Sequence, residues 1–187
     1  MIYESVNYRQ VKKVKPYFEE SQKFDQWWLK LIIIGSVLAV VGPMFYGTIN
    51  QVATGIPWGD NPMSTSGLII MDFVTTLIMT GVVLLIFKTR LISEIKSDGI
   101  HIRFKPFLYK EKLITPGDIE KYEIRTYSSI KDYGGWGVRN GRRGKGIAYN
   151  VSGNIGLQLV LKNGRKILIG TQRPEAIKRA MNKLMEN

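Results

Sequence analysis

Hydrophobic and polar positions fall into distinct regimes along the chain. Two continuous apolar blocks, WWLKLIIIGSVLAVVGPMFYGTI (27–49) and GLIIMDFVTTLIMTGVVLLIF (67–87), carry no polar face. Each has about the 20 residues a helix needs to cross a hydrocarbon core. Core helices of a soluble protein would show a polar stripe, and a secretory signal would be shorter and unpaired. From Leu91 onward the pattern changes to alternation, the period of strands with one buried face.

The flanks of the two blocks set an orientation. Trp27 and Trp28 stand at one end of the first block, and Phe45 and Tyr46 approach the other, as aromatic belts do. Arg9, Lys12, Lys13, Lys15 and Lys23 precede the first block, and Lys88 and Arg90 follow the second. The intervening stretch has no lysine or arginine and one aspartate, Asp60. The positive-inside rule then places both termini in the cytoplasm and the loop outside the cell membrane. The expected segments are a basic N-terminal segment (1–26), a first span (27–49), an extracytoplasmic loop (50–66), a second span (67–88) and a cytoplasmic β domain (89–187).

Inside the spans, Lys30 lies near one end, where it can snorkel to headgroups. Asp72 is an intramembrane carboxylate and a functional-site candidate for that reason. Gly35 with Ala39, and Thr76 with Thr80, are small residues at a spacing that permits close helix contact, within one chain or in a homo-oligomer. Pro43 is expected to kink or end the first helix.

In the C-terminal half, LISEIKSDGIHIRF reads as two strands about a Ser97-Asp98-Gly99 turn, and KEKLIT as a third. IEKYEIRTY follows a PGD turn as a fourth strand, with a bulge where its alternation slips. GWGVR and GIAYNV are a fifth strand and its return. GLQLVL and RKILIG form a hairpin across Asn163-Gly164. The last segment predicts a helix with Thr171 as N-cap and Pro174 in its first turn. Ile177, Ala180, Met181, Leu184 and Met185 form its apolar stripe, placed to cover the sheet.

Strands closed by one amphipathic C-terminal helix follow the order of a pleckstrin-homology (PH)-like domain. Through the paired spans and the segments SDGIHIRF, LITPGDIEKYEI and GLQLVLKNGRKILIGTQRPEAI, nearly the whole chain resembles small bacterial membrane proteins with two spans and a C-terminal bacterial PH-like domain. The resemblance implies a membrane α-helical hairpin plus a mainly-β PH-like barrel or sandwich capped by a C-terminal helix. It implies binding rather than catalysis, brings no catalytic residues with it, and names no ligand.

The chain has 187 residues and a net charge of +12, without cysteine and with a single histidine, His101. Disulfides and cysteine-ligated metals are thereby excluded, and a histidine-based zinc site or Ser-His-Asp triad is hard to build. From Lys88 onward there are 21 basic and 9 acidic residues, so the surplus faces anionic partners.

The stretch DYGGWGVRNGRRGKG (132–146) tests for phosphate chemistry and fails. Gly144-Lys145 is followed by Gly146 rather than Ser or Thr, and Arg139 stands where a P-loop needs its first glycine. Asn140 replaces the third glycine of a dinucleotide fingerprint, and strands rather than a helix follow. Two readings remain: turns that need glycine, with a solvated basic tip, or a basic finger near an anionic leaflet. The second makes Trp136, Arg139, Arg142, Arg143 and Lys145 a contact surface. Nucleic acid is disfavoured, because basic charge stands without a recognition motif.

The sequence therefore predicts a membrane-anchored, non-enzymatic module without cofactor or metal. Its partners are the bilayer, anionic lipid headgroups, or a membrane or cytoplasmic protein. The alternative is an oligomeric transport or channel-like subunit built from the hairpin around Asp72.

Overall fold

A computed structural model describes residues 15–186 and divides into two compact units. The first is built mainly from residues 15–22, 91–104 and 108–186, and the second mainly from the two long helices.

Helix α1 spans Trp27–Thr54 and α2 spans Thr65–Lys88. At about 1.5 Å per residue both exceed the roughly 30 Å of a hydrocarbon core. Most of their apolar side chains, among them Leu31, Leu38, Phe73 and Leu77, are exposed within the chain. Pro43 does not end α1, which continues to Thr54 and stops at Gly55 in a left-handed conformation. Helix α2 starts on Ser64, whose hydroxyl accepts from the Gly67 amide. The loop is consequently shorter than expected. Gln51 holds it to α1, donating to the Met63 carbonyl at 3.0 Å and to Thr65 Oγ1 at 3.1 Å, and accepting from the Trp58 amide at 3.0 Å. Gly47 is buried against the Trp58 ring, which leaves no room for a Cβ.

The β unit contains two sheets. In the four-stranded sheet the order is β1 (Phe18–Lys23), β2 (Arg90–Lys96), β3 (Gly99–Lys105) and β4 (Leu108–Ile114). In the five-stranded sheet it is β5 (Ile119–Thr126), β8 (Ile155–Leu161), β9 (Lys166–Gly170), β7 (Ile147–Asn150) and β6 (Gly137–Asn140). β7 and β9 run parallel, while β5, β8 and β9 form an antiparallel set. The slip expected in β5 is a register shift between Ile119 and Lys121. Register puts Leu157, Leu159, Ile167 and Ile169 on one face of this sheet, and Ala148, Gln158 and Leu168 on the other. All seven are buried, so these strands are covered on both faces.

Helix α4 (Pro174–Glu186) packs against β8 through Ile177, Ala180, Met181 and Leu184, which are buried; Met185 is 38% exposed and lies off the covered face. The helix begins later than Thr171. That residue's hydroxyl accepts from the Arg173 amide at 3.0 Å, forming a local turn before the helix instead of capping it.

Strand β1 had no counterpart among the expected strands. Phe18, Glu20 and Gln22 are buried and alternate with exposed Glu19, Ser21 and Lys23. The Tyr17 amide donates to the Ile95 carbonyl of β2 at 2.8 Å. Glu20 ties the strand to the start of the C-terminal helix: Thr171 Oγ1 donates to it at 2.6 Å and the Gln172 amide at 2.9 Å. Gln22 Nε2 donates to the Gly170 carbonyl at 2.7 Å, and the Arg173 guanidinium lies 5.5 Å from the centre of the Phe18 ring. The strand before the helical pair is thus part of the β unit formed after it.

Truncating Glu20 would leave the Thr171 hydroxyl and Gln172 amide without their acceptor. Glu20→Ala is expected to destabilise the β unit by about 2 kcal/mol. Denaturant unfolding of a protein joining residues 15–23 to 90–187 checks this, with residues 90–187 alone expected to be less stable still.

Candidate functional site

The glycine-rich basic stretch lies on the edge strand β6 and the turn that returns to β7. A single-turn helix, α3 (Ser129–Tyr133), precedes it. Ser128 Oγ accepts from the Lys131 amide at 3.2 Å, and Asp132 Oδ2 accepts from the Ser128 amide at 2.9 Å, a reciprocal cap. Tyr133 is buried and meets Tyr127 edge-on, with ring centroids 6.0 Å apart, beside Ala148 and Leu168. Its hydroxyl accepts from Arg125 Nη2 at 3.0 Å, and Arg125 Nε donates to Gln158 at 3.0 Å. The stretch therefore starts from a fixed aromatic anchor.

Its glycines answer to backbone geometry. Gly146 has φ +79, and a Cβ there would run into the Lys166 backbone carbonyl. At Gly141 a Cβ would lie 2.7 Å from the Tyr133 ring. These are close approaches within a sheet, in keeping with the failed phosphate-loop spacings.

The described basic side chains of the stretch are held in different ways. Lys145 Nζ is 2.5 Å from Asp132 Oδ1, so its charge is matched within the turn. Arg139 Nε donates to the Trp136 carbonyl at 2.9 Å, which folds the side chain back along the loop. Trp136 is half-buried, Arg142 is exposed, and the side chain of Arg143 lies outside the described residues. Among the described side chains of this turn, Arg139 and Arg142 carry positive charge without a carboxylate partner.

A second cationic feature joins residues far apart in sequence. Lys112 of β4 and Lys162 and Arg165 of the β8–β9 turn line a cleft of about 300 Å³ with Asn163 and Asp118. Lys112 donates to the Tyr149 hydroxyl at 3.3 Å and stands 5.4 Å from the centre of that ring. Nothing in local sequence places Lys112 beside Arg165; only the folding of the two sheets does.

His101, the single histidine, is buried on β3 between two carboxylates: Nε2 is 2.9 Å from Asp98 and Nδ1 3.1 Å from Glu111. Arg103 pairs with Glu94, which also lies 2.5 Å from Lys96. Burial works to raise the Glu94 carboxyl, but the bond from Lys96 and the charge of Arg103 outweigh it and hold it below its ordinary value. This is an alternating charge network on a sheet. Among the described residues no group of three or more His, Asp or Glu side chains is arranged to hold a metal ion.

On α2, Asp72 is buried, with 6% of its surface exposed, and Oδ1 has no hydrogen-bond partner. The chain matches no family model, no curated protein and no solved structure.

The hydrogen bond from Lys145 and that from the Ser128 amide hold the Asp132 carboxyl below its ordinary value. A carboxyl depressed in the folded state stabilises it above the unfolded-state value and loses that contribution as pH falls through the folded one. As pH falls below about 4, the wild type is therefore expected to lose more stability than Asp132→Asn, which has no carboxyl to protonate there. Denaturant unfolding of both proteins, followed by circular dichroism across about pH 2–7, checks this: the variant is less stable at neutral pH, and the difference between them shrinks in acid.

Proposed function

We propose that the protein is a membrane-anchored, non-enzymatic binding module, in which the hairpin α1–α2 spans the cell membrane and the β unit stands in the cytoplasm. The observation that carries this reading is that the two long apolar helices are inserted between β1 and β2, neighbouring strands of one sheet. A chain that leaves one strand, crosses twice and re-enters at the next strand returns to the side it left. This agrees with the distribution of lysine and arginine about the spans. Long apolar helices with exposed apolar surface suit lipid as solvent.

The two-sheet unit with its terminal helix keeps the PH-like expectation as the preferred description of the binding domain. Its ligand class is anionic, supported by the surplus of cations after Lys88 and by the Lys112–Lys162–Arg165 cleft. Anionic lipid headgroups and an acidic face of a protein partner share that chemistry. Arg139 and Arg142 remain contact candidates, with Trp136 beside them, and Lys145 acts chiefly by holding the turn to Asp132.

Absence of cysteine makes the orientation directly measurable. In intact cells a membrane-impermeant maleimide is expected to label Asn61→Cys and to leave Ser97→Cys unlabelled until the membrane is permeabilised. The opposite labelling, or resistance of neither variant to alkaline extraction from membranes, would overturn the reading.

A further inference from the structure

We infer that the groove between α1 and α2 holds one acyl chain of an anionic phospholipid, whose phosphate pairs with Lys30. This rests on the reading of the hairpin as membrane-embedded with both of its ends in the cytoplasm.

The groove runs along the half of the pair that lies away from the loop. Lys30 and Phe87 line one end, Val41 and Thr76 the other, and its volume is about 460 Å³. Both helices advance eleven residues between these ends. At 1.5 Å per residue that is roughly 16 Å, close to half of a hydrocarbon core about 30 Å thick. The groove therefore has the depth of one leaflet, the cytoplasmic one. The loop-side half is tied differently, by Gln51 donating to Thr65 Oγ1 and by Gly47 packed against the Trp58 ring.

The lining is polar at one end. Apart from Lys30 it consists of apolar side chains and two threonines. Val37 and Val83, midway along, are half-buried and leave surface for a hydrocarbon chain to cover. Lipid tails are as apolar as the helices, so a chain in the groove gains packing rather than hydrophobic free energy. Selectivity must then come from the headgroup end.

Lys30 stands at that end. Its side chain is exposed and, among the described residues, pairs with no carboxylate. An ammonium on a flexible stem can reach a phosphate at the membrane boundary. The surrounding charge has the same sign: residues 23–30 and 87–90 carry Lys23, Lys30, Lys88 and Arg90 against one carboxylate, Asp25. A zwitterionic headgroup would bring its own cation into that surplus, and an anionic one does not. Basic pockets between spanning helices on the cytoplasmic side select anionic headgroups in this way.

A second copy of the chain suits the groove less well. Copies in one membrane share an orientation, so a symmetric partner would set its own Lys30 at the same depth, cation beside cation. A lipid phosphate reverses the sign of that contact.

Native mass spectrometry of the full chain in detergent tests this, with phosphatidylglycerol and phosphatidylcholine of identical acyl chains added in equal amounts. The wild type is expected to retain one phosphatidylglycerol per chain, with a roughly fivefold preference over phosphatidylcholine. Lys30→Gln should lower that preference by about the same factor, and Lys30→Arg should keep it. Val37→Trp, which fills the groove, should lose both lipids while remaining helical by circular dichroism. Equal retention of the two lipids by the wild type, a preference unchanged in Lys30→Gln, or retention unchanged in Val37→Trp would overturn the site. Lipid-free dimers that Val37→Trp disrupts would overturn it too, in favour of a second copy. Alkaline extraction of native membranes is read separately: a wild type that resists extraction but shows no lipid preference removes this site alone, whereas an extractable wild type removes the membrane reading on which it rests.

Discussion

The pairing of β1 with β2 is the constraint on which the rest of the structure depends. The sheet needs a strand that lies before the helices, so the chain must make its apolar excursion and come back to the strand beside the one it left. Glu20 and Gln22 then fix that strand to the β9–α4 junction through the Thr171 hydroxyl, the Gln172 amide and the Gly170 carbonyl. An insertion of this kind is compatible with an even number of membrane crossings and not with an odd one. The helical pair interrupts a sheet, and the β unit includes residues from both sides of that pair.

The glycine-rich stretch is explained by the same economy of packing. Tyr133 anchors it, Asp132 caps α3 and holds Lys145, and Gly141 and Gly146 admit close approach of a ring and a carbonyl. Local cations are used to close the turn, while Lys112, Lys162 and Arg165 are gathered at a cleft made by the two sheets. Positive charge in the sequence therefore divides into a part that holds the fold and a part that remains available to anions.

Much of this was legible in the sequence. The two long helices follow from uninterrupted apolar runs, and β2 with β3, β8 with β9, and helix α4 follow from alternation, turn residues and a helical stripe. Three features were not. Strand β1 reads as polar because its inward positions are Glu20 and Gln22, whose burial is justified only by acceptors and donors more than a hundred residues away. Helix α3 is a single turn whose capping by Ser128 and Asp132 is recognisable only once its ends are known. The neutralisation of Lys145 needs the turn geometry that brings Asp132 to it across thirteen residues. Pro43 was expected to kink or end α1; it does not end the helix, which continues to Thr54. Asp72 was visible as a carboxylate within an apolar block; that it is buried, with Oδ1 lacking a hydrogen-bond partner, was not.

Hydrogen exchange of the full chain in lipid nanodiscs, followed by mass spectrometry, reads whether the segment before the helices is paired into the sheet formed after them. The segment 17–23, including the Tyr17 amide bonded to Ile95, is expected to exchange slowly and together with residues 90–96. Exchange of 17–23 at the rate of an unstructured peptide, with 90–105 still protected, would contradict it.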